Sequence, residues 1–162
     1  MIVKRTNLLL ELSPTELEVF ALILENGGVA TLEDLSEKAP HIPVGSIKRS
    51  LAKLKNLRLI ESIPIVRATT IDRLRIILPS NIVNNCPDLL KSIVEKTRKL
   101  KEEKIDPRTR IYVVRVTPNE LRVMIEELLA LVERGLIKNR AEKEQAGKVI
   151  VSAISKFSLC KQ

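Results

Sequence analysis

The stretch "PVGSIKRSLAKLKNLRLI", Pro43 to Ile60, decides how this sequence is read. Ile47, Leu51 and Leu54 are four and three residues apart, so at about 100° per residue they share one helical face. The rest of the segment holds Lys48, Arg49, Lys53, Lys55 and Arg58, with no carboxylate among them. The spacing predicts a helix from Val44 to about Leu57. Its opposite face carries Gly45, Ser46, Arg49, Ala52, Lys53 and Asn56, and Lys48 and Lys55 lie together on a flank. Small residues between long cations let such a helix approach a surface closely. A major groove admits an α-helix, and Arg or Lys pairs with guanine edges while Ser and Asn reach other bases or phosphates. Backbone donors at the helix start, Val44 to Ser46, add anion affinity. The plainer reading of the same lysines is a wet face that keeps the helix soluble.

Upstream, "LSPTELEVFALILENGG" carries the signals of a first helix. Ser13 caps it, Pro14 suits the first helical position and Glu16 completes a capping box. Leu17, Phe20, Ala21 and Leu24 form the inner face, and Gly27-Gly28 ends it. "TLEDLSEKAP" reads as a short second helix with Thr31 as cap, Asp34 at the box position and Pro40 as the stop. Downstream, "LIESIPIVRATTIDRLRIILPS" is rich in β-branched residues and broken at Ala68 to Thr70. It reads as a hairpin of two strands, Leu59–Arg67 and Ile71–Leu78. Pro64 cannot donate a ladder hydrogen bond, which points to an edge strand.

Helix, short helix, turn, third helix, hairpin is the order of a winged helix-turn-helix. From Leu12 to Leu78 the sequence resembles archaeal winged helix-turn-helix transcriptional regulators of the MarR and TrmB type. "GSIKRSLAKLKNLRLIES" is similar to their recognition helix with its Leu-x-x-x-Gly-Leu-Ile ending, and "ATLEDLSEKAP" to their second helix. Arg58 stands where those families have Gly in a left-handed turn. The resemblance implies a mainly α fold with a small β-hairpin wing, of the α+β class. It implies a DNA-binding domain over 1–80, with a mostly helical dimerisation or effector region over 81–162. Recognition-helix contacts would come from Gly45, Ser46, Lys48, Arg49, Lys53 and Asn56. Wing contacts to phosphate or minor groove would come from Arg67, Thr69, Thr70, Arg73 and Arg75. His41, in the turn before the third helix, is either incidental or a phosphate donor.

The second half reads as a connector, "PSNIVNNCP", then a charged helix with Leu89, Ile93, Lys96 and Leu100 inward. Within it, "KTRKLKEEK" is a basic run whose Glu102 and Glu103 can pair with Arg98 and Lys99. A strand "RIYVVRV" follows, then a helix from Thr117 to Gly135 and a last one over Glu142 to Phe157. "SPTELEV" and "TPNELRV" echo each other, which two helices with the same N-cap explain without a repeat. Added helices of this kind would supply a homodimer, and a palindromic site needs recognition helices about 34 Å apart.

Composition bounds the rest. The 162 residues carry a net charge of +8 and a sequence pI near 9.7. Residues 1–80 hold 11 Lys+Arg against 9 Asp+Glu, and 81–162 hold 17 against 11. The basic excess favours a polyanionic partner. With no Trp, one Tyr and two Phe, flat rings are too few for a base-stacking platform, which argues against single-strand or RNA binding. Abundant Lys and Glu with two Gln is a thermophile-like balance. No apolar run reaches the ~18–20 residues of a membrane span. The start lacks a small-residue cleavage site, so the expectation is a cytoplasmic protein. Cys86, Cys160 and the single His41 form no metal knuckle. Two buried free thiols are expected, with a Cys86–Cys160 disulfide plausible in a hyperthermophile. With no Gly-rich phosphate loop, metal cluster or nucleophile–histidine pair, neither an enzyme nor a cofactor is expected. Double-stranded DNA is the expected partner and transcription regulation the expected role. A replication, partition or chromatin protein is the alternative, as is a winged-helix interaction module without DNA binding. The operator and any effector ligand are not encoded in these patterns.

Overall fold

The computed structural model describes residues 8–134. It is mainly helical, with a small three-stranded antiparallel sheet, the α+β class expected. After a 3-10 turn (Leu8–Glu11) come α1 (Pro14–Glu25), β1 (Val29–Thr31), α2 (Leu32–Lys38), α3 (Val44–Asn56) and β2 (Ile60–Pro64). A second 3-10 turn (Ile65–Arg67) leads into α4 (Ile71–Ile77), α5 (Ser80–Asn85) and α6 (Pro87–Glu102). The chain then returns as β3 (Arg110–Val114) and α7 (Pro118–Glu133).

The first helices form where their caps put them. Ser13 and Glu16 make a reciprocal capping box on α1, and Thr31 and Asp34 make one on α2. Each box satisfies backbone donors that the first helical turn cannot satisfy itself. α1 ends in left-handed glycines, Gly27 (φ 82°) and Gly28 (φ 88°), with the Gly28 amide donating back to the Ile23 carbonyl at 2.9 Å. The same closure recurs on α3 without glycine. Arg58 has φ 61°, its amide donates to Lys55, and the Leu59 amide donates to Leu54. Leu54 and Leu59 are both buried, supplying the apolar contact that accompanies this motif. The left-handed turn is therefore kept with an arginine in it. Lys104 (φ 59°) closes α6 in the same way.

The expected hairpin is corrected. Ile71–Ile77 is a helix, not a second strand, and Thr70 is its N-cap, accepting from the Arg73 amide. Leu74 and Leu78, four apart, are buried, whereas Ile76 is 85% exposed. Strand alternation would have put Leu74, Ile76 and Leu78 on one face, and only the helical period separates them. The partner of β2 is instead β3, paired from Ile60↔Val114 to Pro64↔Arg110. β3 also pairs with β1, giving the order β1-β3-β2. β2 is thus an edge strand, as Pro64 requires. The connector is corrected too, since Ser80–Asn85 is helical, with Ile82 and Cys86 buried beneath it.

Residues before and after position 80 share one sheet and one core. The central strand lies at 110–114, and the buried apolar residues from Leu9 to Leu128 form one cluster. The segment between β2 and β3 is tied to the sheet and to α2. Ile65 and Val66 continue the backbone pairing to Thr109 and Pro107. The buried Thr97 hydroxyl donates to the Ala68 carbonyl, and Lys96 pairs with Asp34 at 2.8 Å. α7 opens with its own capping box, Thr117 and Glu120. Cys86 is disulfide-bonded, which corrects the expected free thiol at that position. Cys160, the other cysteine of the sequence, lies outside the described residues, as do Gly135 and the helix expected over Glu142 to Phe157. Among the described residues no helix is long and apolar enough to cross a membrane.

Candidate nucleic-acid interface

α3 packs on α1, α2 and β2 through Ile47, Leu51 and Leu54, each at most 3% exposed, and through the buried Ser50. Burying three such side chains contributes about 1.5–3 kcal/mol each, enough to hold the helix at one rotation. That rotation leaves Val44, Gly45, Lys48, Arg49, Ala52, Lys53, Lys55 and Asn56 exposed, with Ser46 half-buried. All six residues singled out from the sequence on this helix therefore sit on its outer side.

The charge on that side is unopposed among the described residues. Lys48, Arg49, Lys53 and Lys55 share the helix with no carboxylate. None of them, nor Arg58, lies in an ion pair among the described residues. α6 behaves differently, because Arg98 there is held by Glu95 and Glu102 on its own helix. The run "KTRKLKEEK" is accordingly a partly self-neutralised face.

The start of α3 also differs from those of α1 and α2. Its N-cap is Pro43, which has no capping side chain, and no acidic residue occupies the first turn. Arg49 reaches back over that end. Its Nη2 donates to Ser46 Oγ at 3.1 Å, and a methyl built on Gly45 would meet Arg49 Nη1 at 3.6 Å. The guanidinium is thus pre-oriented beside the helix start with most of its donors uncommitted. Val44, at the first helical position, is 48% exposed. By spacing Val44 continues the Ile47–Leu51–Leu54 stripe, three residues before Ile47, so its exposure at the helix start is what the sequence pattern did not show.

The residues expected on a wing are placed otherwise. Arg67 ends the 3-10 turn after β2 and is exposed, while Thr69 is half-buried. Thr70 caps α4, Arg73 donates to the Val66 carbonyl at 3.2 Å, and Arg75 pairs with Asp72 at 3.7 Å. No strand carries any of them. His41 Nε2 is 2.6 Å from Glu18 Oε1, which joins the turn before α3 to α1.

Asp34 links this helical unit to α6. Burial raises its pKa, but the Lys96 ammonium, the Thr31 amide and the Thr31 hydroxyl together outweigh that and hold it below the usual carboxylate range. Tyr112 on β3 moves upward, mainly because of burial. Among the described residues no group of three or more His, Cys, Asp or Glu is placed to hold a metal ion. Set beside family models, curated proteins and solved structures, the chain matches none of them.

Proposed function

We propose that this chain is a sequence-specific double-stranded DNA-binding protein, a transcription regulator that lays α3 in the major groove. One observation carries the reading: α3 turns Gly45, Lys48, Arg49, Lys53, Lys55 and Asn56 outward together, with no carboxylate partner for any of the cations among the described residues. The order α1, β1, α2, α3, β2, β3 and the sheet order β1-β3-β2 support a winged helix-turn-helix arrangement. In that arrangement β2 and β3 are the wing, and residues 65–109 are an insertion at its tip.

A 13-residue helix is about 20 Å long and 10–12 Å across, a match for a groove about 12 Å wide. Gly45 permits close approach at the helix start, where Arg49 presents its fork to a guanine edge with Ser46 holding it in place. Lys53 and Asn56 continue the contact along the helix. Lys48 and Lys55, on the flank, meet phosphates. Arg73 and Arg75 are left out of this interface, because the strand that would have carried them is the helix α4, and Arg67, Thr69 and Thr70 lie in the segment that joins β2 to it. A homodimer would read two half-sites about 34 Å apart.

Selection of bound sequences from random duplexes by the full chain tests the proposal. A recurrent motif should emerge, and Arg49→Ala should flatten discrimination between sites by about 1–3 kcal/mol. Lys55→Ala should weaken all duplexes alike. Failure to enrich any motif, with no duplex binding at low salt, would contradict it.

A further inference from the structure

α4 presents a surface that DNA contact does not explain. Arg67, Arg73, Ile76 and Ile77 line a hollow of about 200 Å³. Arg73 is fixed beside Val66 by its hydrogen bond to the Val66 carbonyl. Ile76 is 85% exposed and Val66 51% exposed, so large apolar side chains stand in water next to two guanidiniums. Neither Arg67 nor Arg73 has an ion-pair partner among the described residues, and the nearby Asp72 is taken by Arg75. A phosphate backbone gains nothing from covering the exposed isoleucine and valine. The patch calls for a partner with carboxylates and an apolar side chain one helical turn apart.

The chain itself carries that pattern on α7. Val123, Glu126, Glu127 and Ala130 are all exposed and recur at three- and four-residue steps, which places them on one stripe. α7 holds Glu120, Glu126, Glu127 and Glu133 against the single cation Arg122, an acidic element in a basic protein. Val123, at 53%, is among its exposed residues, and neither Glu126 nor Glu127 is ion-paired among the described residues. We propose that the α4 patch is a docking surface for α7 of a second copy of this chain, with Ile76 against Val123 and the Arg67–Arg73 pair against Glu126 and Glu127. Arg73 precedes Ile76 by three residues and Val123 precedes Glu126 by three, so the two pairs coincide when the helices run antiparallel. Residues 135–162 are a poor alternative occupant, because they carry six Lys+Arg against two Glu and would be repelled. The inference stands independently of DNA binding.

Sedimentation velocity and light scattering on the full chain over a concentration series test it. The wild-type mass should rise above the 18.3 kDa of one chain, and less so at high salt. Arg73→Glu and Glu126→Arg should each weaken association by about tenfold or more, through like charges brought together. The two changes combined in one chain should restore it, with thermal melts confirming that every variant is folded. A strict monomer at micromolar concentration would overturn the proposal. So would association that both reversals leave unchanged, or a combined variant that fails to recover. Loss of duplex affinity in Arg73→Glu with association intact would assign the patch to DNA instead.

Discussion

Gly45→Ala separates what α3 does for the fold from what it does for a partner. Gly45 is the second residue of the helix and is absent from the positive-φ positions, so an L-residue fits its backbone. Among the described residues a methyl there meets only Arg49 Nη1, at 3.6 Å, an ordinary van der Waals distance. Alanine is favoured over glycine by up to about 1 kcal/mol inside a helix and by less near its start, so the free protein should gain about 0.5 kcal/mol. For a chain of this size that raises Tm by about 1–2 °C. The same methyl projects from the exposed face of α3, which in the proposed complex meets the groove. Holding the helix off by a fraction of its contact distance weakens at least one bidentate base contact, worth about 1–3 kcal/mol, or roughly tenfold in Kd. Thermal melts and fluorescence anisotropy with a selected duplex read the two effects separately. A higher Tm with tenfold weaker binding is the expected pair. A higher Tm with unchanged binding would refute the placement of Gly45 against DNA.

Two further substitutions test the frame around α3. Arg58→Gly should stabilise the chain by about 0.5 kcal/mol, because φ 61° costs an arginine about 1 kcal/mol, which the extra chain entropy of glycine offsets only in part. A fall in Tm would mean that the Arg58 side chain contributes contacts larger than that strain. Asp34→Asn should cost about 1–2 kcal/mol near neutral pH, since it removes the carboxylate shared by the α2 capping box and Lys96. Asp34 has a lowered folded-state pKa, so its contribution is fully present above the unfolded value of 3.8 and is lost as pH falls through the folded value. Urea midpoints of wild type and Asp34→Asn should therefore converge below about pH 4. A gap that stays constant into acid would show that the carboxylate charge is not what stabilises this junction.

The elements that could be read from sequence are those whose signals are local. Ser13, Pro14 and Glu16 define the start of α1, Thr31 and Asp34 the start of α2, and Ile47, Leu51 and Leu54 the rotation of α3. That rotation in turn places the candidate face. Pro64 marked an edge strand correctly because its missing donor is a property of one residue. The partner of that strand was hidden, because β2 pairs with residues 110–114 and nothing in "RIYVVRV" names the strand it joins. The β-branched run after Thr70 suggested a local partner instead. Its outcome was set by the Thr70 cap and by the burial of Leu74 and Leu78, with α4 packed on α6. β1, three residues long, carries too short a pattern to be read at all.

Salt dependence of duplex binding reaches the central claim most directly. If the four cations of α3 each displace one counterion, log Kd should change with log salt at a slope near 3.6 per chain, a loss of about 100-fold between 50 and 200 mM. Replacing Lys48, Arg49, Lys53 and Lys55 with alanine together should remove most of that slope while leaving the fold intact, because all four are solvent-exposed. Binding that is equally strong at both salt concentrations, or a slope unchanged in the alanine variant, would place the nucleic acid somewhere other than α3.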